Sequence, residues 1–225
     1  EWAYDFLISK KYIEEKDSNK FDDYLLVDEE NSRMKVLLKG QQSDKIDLIM
    51  RTGEIIEQLK NEVETNKHDI TIIGGGGNKG IHQKLVQFID SSVFVVKNYS
   101  VSKKYKILLP VNDSKGSDMA IETAINFAKS YKLNVEIVSA PEGKKSVEEV
   151  EKILNKTKEK FSKNKIKTTA KLIDGPVVNS IVNFAKDDSI VILGVSPKNP
   201  IMKYFFGSKP LSIAQKCNCP VLITK

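Results

Sequence analysis

The sequence predicts an α/β protein built around a mostly parallel β-sheet. Three observations lead there. Short apolar runs recur along the whole of the 225 residues, helix-like periodicities with capping residues lie between many of them, and two stretches of the chain repeat one order of features. Strands covered by helices on both faces read as continuous apolar runs, because neither face meets water. Alternation of such strands with helices is the pattern of a parallel α/β sheet.

Taken in order, residues 2–13 (W-A-Y-D-F-L-I-S-K-K-Y-I) read as a helix, either the first of a copy whose opening strand is missing or a connection to something upstream. Strand-like runs follow at 24–27, 34–38, 46–50, 70–73 and 93–97, and again at 105–111, 135–139, 168–173, 190–193 and 221–225. A helical stretch over 81–90 lies between two of them. Ser117 is placed to cap a helix carrying Ile121, Ala124, Ile125 and Ala128 on one face. Ser146 and Glu149 have the spacing of a capping box, and Val147, Val150, Leu154, Thr157 and Phe161 then recur at helical spacing.

The repeat covers residues 51–74 (R-T-G-E-I-I-E-Q-L-K-N-E-V-E-T-N-K-H-D-I-T-I-I-G) and 173–194 (I-D-G-P-V-V-N-S-I-V-N-F-A-K-D-D-S-I-V-I-L-G). Each has a strand end, Gly, a helix, an acidic turn, an apolar strand and Gly. Each half then closes on a strand ending in Lys, V-F-V-V-K and V-L-I-T-K. Pairing of 93–97 with 221–225 inside one chain would remove two exposed edges and leave a pseudo-dimer, itself able to form a homodimer.

The second half also carries L-L-P-V-N-D-S after its first strand, D-G-P-V-V-N-S-I at a strand-to-helix turn, G-V-S-P-K-N-P-I-M-K-Y-F-F-G-S, and C-N-C-P-V-L-I-T-K at its end. In this order the pieces resemble the universal stress protein family, whose signature is G-x2-G-x9-G-[ST] followed by a helix and a C-P-V-L-type strand. The resemblance implies two such domains in tandem, each a doubly wound, mostly parallel five-stranded sheet. The first, residues 1–98, is degenerate and truncated; the second, 103–225, is complete, with the polar stretch 98–104 between them. It further implies a non-catalytic regulatory or stress-response module. Many members bind ATP over the carboxyl ends of the strands, where open α/β sheets hold ligands.

Carried over residue by residue, the resemblance implies that Gly194, Gly207 and Ser208 hold phosphate, that Asn112 stands where the family's Asp contacts the nucleoside, and that Ala140 closes the second strand of the site. ATP or AMP is the implied ligand. Pro197 replaces the second glycine, which removes one N–H and fixes φ. Lys198, Lys203 and Lys209 surround the loop and offer compensating charge. Tyr204, Phe205 and Phe206 form an apolar clump that stacks on adenine or covers the sheet. Resembling domains also occur at the cytosolic ends of antiporters, amino-acid permeases and cation-chloride cotransporters. The alternative function is therefore a nucleotide-free regulatory and dimerisation domain covalently attached to a membrane transporter. The first residue is Glu rather than Met, as in a piece of a longer protein.

The glycines of I-T-I-I-G-G-G-G-N-K-G (70–80) permit a third reading. Gly75, Gly77 and Gly80 spell G-x-G-x-x-G after a strand, the dinucleotide-binding pattern. The acidic residue that should bind ribose about 20 positions on is absent, since Asn98 stands there. Val93 follows Gly74 by 19 residues where Val221 follows Gly194 by 27, so the first half lacks the length of a phosphate loop. The repeat accounts for these glycines as a tight strand-to-helix turn.

Composition excludes several classes. Hydrophobic residues at 40% and charged residues at 29% are those of a soluble globular chain. No run approaches a membrane span, and no signal-peptide pattern is present. Cys217 and Cys219 give no disulfide framework and point to packing in a reducing cytoplasm. His68 and His82 have no acidic or thiol cluster at metal spacing, so no metal is expected. No base is placed to activate Ser114, and no enzyme chemistry is expected. The net charge of +6 comes from lysines interleaved with acids along the chain, read as a solvated surface with no nucleic-acid partner.

Overall fold

The computed structural model of the chain describes residues 24–29, 33–38, 46–49, 53–75, 79–100, 102–141, 143, 145–195 and 209–225. Strand connections decide its two sheets. β1 (Tyr24–Glu29), β2 (Arg33–Leu38) and β3 (Ile46–Ile49) form an antiparallel sheet in which Leu26 stands opposite Val36 and Lys35 opposite Asp47. The expectation of a parallel five-stranded first copy does not hold for these three strands. Only residues 30–32 and 39–45 join them, and a parallel pairing needs a crossover of roughly a dozen residues or more.

The second sheet has seven strands in the order β4-β5-β10-β9-β6-β7-β8. These are β4 (Ile70–Gly74), β5 (Ser92–Val96), β6 (Lys106–Pro110), β7 (Val135–Ser139), β8 (Thr168–Leu172), β9 (Ser189–Gly194) and β10 (Val221–Thr224). Every neighbouring pair is parallel except β5 with β10, where Phe94 lies opposite Leu222. The two apolar strands that end in lysine therefore lie side by side.

Six described helices accompany the strands: α1 (Ile55–Asn66), α2 (Lys79–Phe88), α3 (Lys115–Tyr131), α4 (Val147–Lys163), α5 (Val177–Phe184) and α6 (Lys209–Lys216). α3 packs on β9, β6 and β10, and α4 packs on β8 and β7. Val150, Leu154, Thr157 and Phe161 form the buried face of α4, as the helical spacing predicts, but Val147 in the first turn stays exposed. Burial of each large apolar side chain contributes about 1.5–3 kcal/mol. The capping box of α4 is present: Glu149 N–H donates to Ser146 Oγ at 3.3 Å, and Ser146 N–H donates to Glu149 Oε2 at 2.8 Å. The cap of α3 differs from expectation. Ser114, not Ser117, is the N-cap, accepting from Ser117 N–H at 3.2 Å. Ser117 lies inside the helix, and its hydroxyl accepts instead from Asn112 N–H at 3.1 Å.

Two lysines lock the seam between β5 and β10. Lys97, just past β5, donates from Nζ to the carbonyls of Ala214, Gln215 and Cys217 at 2.6, 3.1 and 3.1 Å, closing the end of α6. Lys225, just past β10, donates to the carbonyl of Ile89 at the end of α2. Each strand thus ends by capping the helix of the other half, where helix carbonyls lack partners and the dipole favours a cation.

Candidate functional site

β6, β7 and β8 step outward in one direction from the middle of the sheet, and β9 and β10 step in the other. The order therefore reverses between β6 and β9, and in open α/β sheets ligands are held above the carboxyl ends of the strands at such a switch point. Asn112 follows β6 and Gly194 ends β9, so two of the expected site residues flank that switch point.

The turn after β6 is closed by its own side chains. Asn112 Oδ1 accepts from Ser114 N–H at 3.0 Å and from Ser114 Oγ at 2.6 Å. Asp113 projects to solvent and pairs with Lys145, from the connection between β7 and α4. The hydrogen bond from Lys145 holds the Asp113 carboxyl below its ordinary value. At Gly194, any Cβ would collide with the carbonyl oxygen of Gly116 in the first turn of α3. Only glycine lets that helix start so close to the end of β9, a contact that sequence alone does not disclose because Gly116 lies in a different segment.

Ala140 follows β7 and is half-buried. Ser139 just before it donates to the carbonyl of Val111 at 2.7 Å, tying the ends of β7 and β6 together. Beside Ala140 opens a cavity of about 360 Å³. Its walls are Pro141 and Gly143 after β7, Gly175, Pro176, Val177, Val178 and Asn179 after β8, and Lys209 at the start of α6. Its volume falls in the range of small-molecule sites. Gly175 has φ +92°, which suits glycine and turns the chain sharply into α5. Asn112, Ala140 and Gly194 are not among these walls; they lie at the neighbouring strand ends. Gly207, Ser208, Pro197, Lys198, Lys203 and 204–206 lie outside the described residues.

Sequence reasoning singled out the turn at 174–181 and Lys209 but missed Pro141 and Gly143 and the cavity that these walls enclose together. Among the described residues no group of three or more His, Cys, Asp or Glu is placed to hold a metal ion. No described helix is long and apolar enough to cross a membrane. Cys217 and Cys219 are both buried and unbridged. Their mutual hydrogen bond, together with burial, pushes the Cys217 thiol up and keeps it neutral. His68 sits on the surface, its Nε2 3.2 Å from Glu62 Oε1.

The glycine run of the first half has a structural explanation at the residues described. His82 Nε2 donates to the carbonyl of Gly74 at 3.1 Å, fixing the end of β4 to α2. A Cβ on Gly75 would overlap the Lys97 side chain, so glycine there leaves the lysine stem a path to the end of α6.

With this geometry in hand, the model of the universal stress protein family matches residues 105–225. The chain belongs to the universal stress protein family. A universal stress protein from Methanocaldococcus jannaschii is 28% identical over an alignment of 138 positions that covers 53% of this chain and 81% of that protein. The crystal structure of a universal stress protein from Archaeoglobus fulgidus superposes with a TM-score of 0.63 at 16% identity, covering 79% of this chain and 68% of that one. A structure of a putative universal stress protein from Pseudomonas aeruginosa gives a TM-score of 0.58 at 15% identity, over 77% of this chain and 69% of that one. At these identities the solved structures speak for the shared α/β fold alone.

Proposed function

We propose that the chain is a non-catalytic regulatory module that binds an adenine nucleotide, ATP or AMP, at the carboxyl ends of β6 to β9. The observation that carries this reading is convergence. The switch point flanked by Asn112 and Gly194 and the cavity beside Ala140 lie at the same end of the sheet, with Lys209 among the cavity walls. The apolar walls Pro141, Val177 and Val178 suit a base, and a lysine suits phosphate. Gly207 and Ser208 would add N–H and hydroxyl donors to the phosphates in the sequence order of the family.

Calorimetric titration with Mg–ATP and then AMP tests this. Micromolar binding is expected, and Val177→Trp, which fills the cavity, abolishes it while leaving the melting temperature near that of the parent. Absence of heat up to millimolar nucleotide overturns the reading. A second reading then takes its place: a nucleotide-free regulatory module of the kind attached to membrane transporters. Asn112 favours it, because its Oδ1 is already engaged twice by Ser114.

A further inference from the structure

β6 to β10 are parallel, so all five amino ends emerge on one end of the seven-stranded sheet, opposite the end that holds the cavity. The lysines that look scattered in sequence gather there. Lys103 and Lys104 precede β6, and Lys129 and Lys132 close α3 before β7. Lys163, Lys165 and Lys167 lie between α4 and β8. Lys186 precedes β9, and Lys216 ends α6 before β10. All nine are exposed. Among the described residues of these connections, only Asp187 and Asp188 oppose them, and nearby Glu136 is already shared by Lys106 and Lys171. The opposite end is mixed in charge, with exposed Asp69, Asp90, Asp113 and Asp174 standing among exposed Lys67, Lys115 and Lys209.

Helix dipoles account for part of this arrangement, since Lys129, Lys163 and Lys216 sit in last turns where a cation is favoured. The other six lie in connections, where like charges only repel one another unless an anion faces them. Two aromatic rings stand at the same end: Tyr131 at the close of α3 is 67% exposed, and Tyr99 beyond β5 is 53% exposed. Five adjacent strand ends at about 4.8 Å spacing span roughly 20 Å. The positive charge is therefore spread over a broad face rather than along a groove or one helix.

We propose that this lysine-rich end is a docking surface for the anionic headgroups of a lipid bilayer, the exposed tyrosines entering the interfacial layer. Tyrosine suits that layer because its ring is apolar and its hydroxyl polar. A flat array of lysines near acidic lipid gains affinity with each charge and loses it when salt shortens the screening length. The surface shares no residue with the cavity walls; Lys216 alone reaches one of them, donating from Nζ to Asn179 Oδ1 at 3.2 Å.

The test is co-sedimentation of the full chain with phosphatidylcholine vesicles containing about 30% phosphatidylserine, against pure phosphatidylcholine, at low and high salt. Binding is expected to the anionic vesicles alone and to be lost at high salt. The triple variant Lys132→Glu, Lys165→Glu, Lys186→Glu should weaken it by about 100-fold or more. The triple variant Lys152→Glu, Lys156→Glu, Lys158→Glu, on the exposed flank of α4, removes the same net charge and should retain most of the binding. Circular dichroism melting of both variants reports their folding, and the salt dependence of the unaltered chain needs no variant. Equal sedimentation with neutral vesicles overturns the proposal, as does equal loss in the two triples. So does preferential binding of single-stranded RNA that displaces the vesicles.

Discussion

The half-unit β4–α2–β5 and the half-unit β9–α6–β10 share one order of elements and meet at a single antiparallel seam, yet they are covered differently. One row of side chains crosses all four strands: Ile72, Phe94, Leu222 and Ile192 are successive register partners. Leu222 and Ile192 are fully buried in the cluster beneath α3, Phe94 is half-buried, and Ile72 is 67% exposed. Similar apolar strands thus end in opposite environments. What a residue contributes here depends on which helix lies above it, and α3 lies above only one half.

The largest difference is expected between Ile192→Ala and Ile72→Ala, each two residues before the glycine that ends its strand. Truncating Ile192 leaves a cavity in a closed core and should cost about 3 kcal/mol, whereas Ile72→Ala should cost less than about 1 kcal/mol. Urea unfolding midpoints measure both. Equal losses would break the comparison, because they would mean that the face of β4 is as well covered in solution as that of β9.

The terminal glycines sharpen it further. Gly194→Ala forces α3 away from β9 and should destabilise by about 2–3 kcal/mol, since the obstructing atom is backbone and cannot rotate aside. Gly74 has open space where its Cβ would be, and Gly74→Ala should stay within about 0.5 kcal/mol. A neutral Gly194→Ala would show that α3 can shift at the switch point and would remove the close approach as the reason for that glycine.

These pairs also show what the sequence disclosed. The strand runs, the helical faces and the capping box of α4 were legible because they rest on local periodicity and spacing. The antiparallel arrangement of β1–β3 was implicit in connections too short for a crossover, but the repeat drew attention elsewhere. The cap of α3 was misplaced by three residues because Asn112, Ser114 and Ser117 all have side chains that can close a helix start, and only their mutual geometry chooses Ser114. At the site, Asn112, Ala140 and Gly194 could be located at strand ends from motif order. The cavity could not, because its walls come from three connections far apart in the chain. The basic end was hidden for the same reason: parallel strands collect residues that the sequence spaces evenly.

The reciprocal lysines test the seam itself. Lys97→Met keeps the stem that crosses Gly75 but removes a charge-assisted donor to three carbonyls, and should cost about 2 kcal/mol. Lys225→Met removes the corresponding donor to Ile89 and should cost about 1 kcal/mol. Hydrogen exchange at the ends of α6 and α2 reads each loss locally: the first variant should loosen α6 and the second α2. Loosening of both helices by either variant would mean that the seam opens as one unit.

The smallest effect belongs to the two outer edges of the sheet. β4 presents no charged side chain at its edge, whereas the β8 edge carries Lys171 over the Phe184 ring at 5.1 Å and shares Glu136 with Lys106, at 2.9 and 3.0 Å. Burial pushes the Glu136 carboxyl up, and the hydrogen bonds from Lys171 and Lys106 overcome it, leaving the group below its ordinary 4.5. A carboxyl depressed in the folded state contributes stability at neutral pH and loses it as pH falls through its folded value. Glu136→Gln should therefore lower the unfolding free energy by less than about 1 kcal/mol at neutral pH, and the difference should shrink as pH falls through the folded value of Glu136. A difference that persists in acid would assign the role of Glu136 to packing rather than charge. The β8 edge would then have no electrostatic guard that the β4 edge lacks.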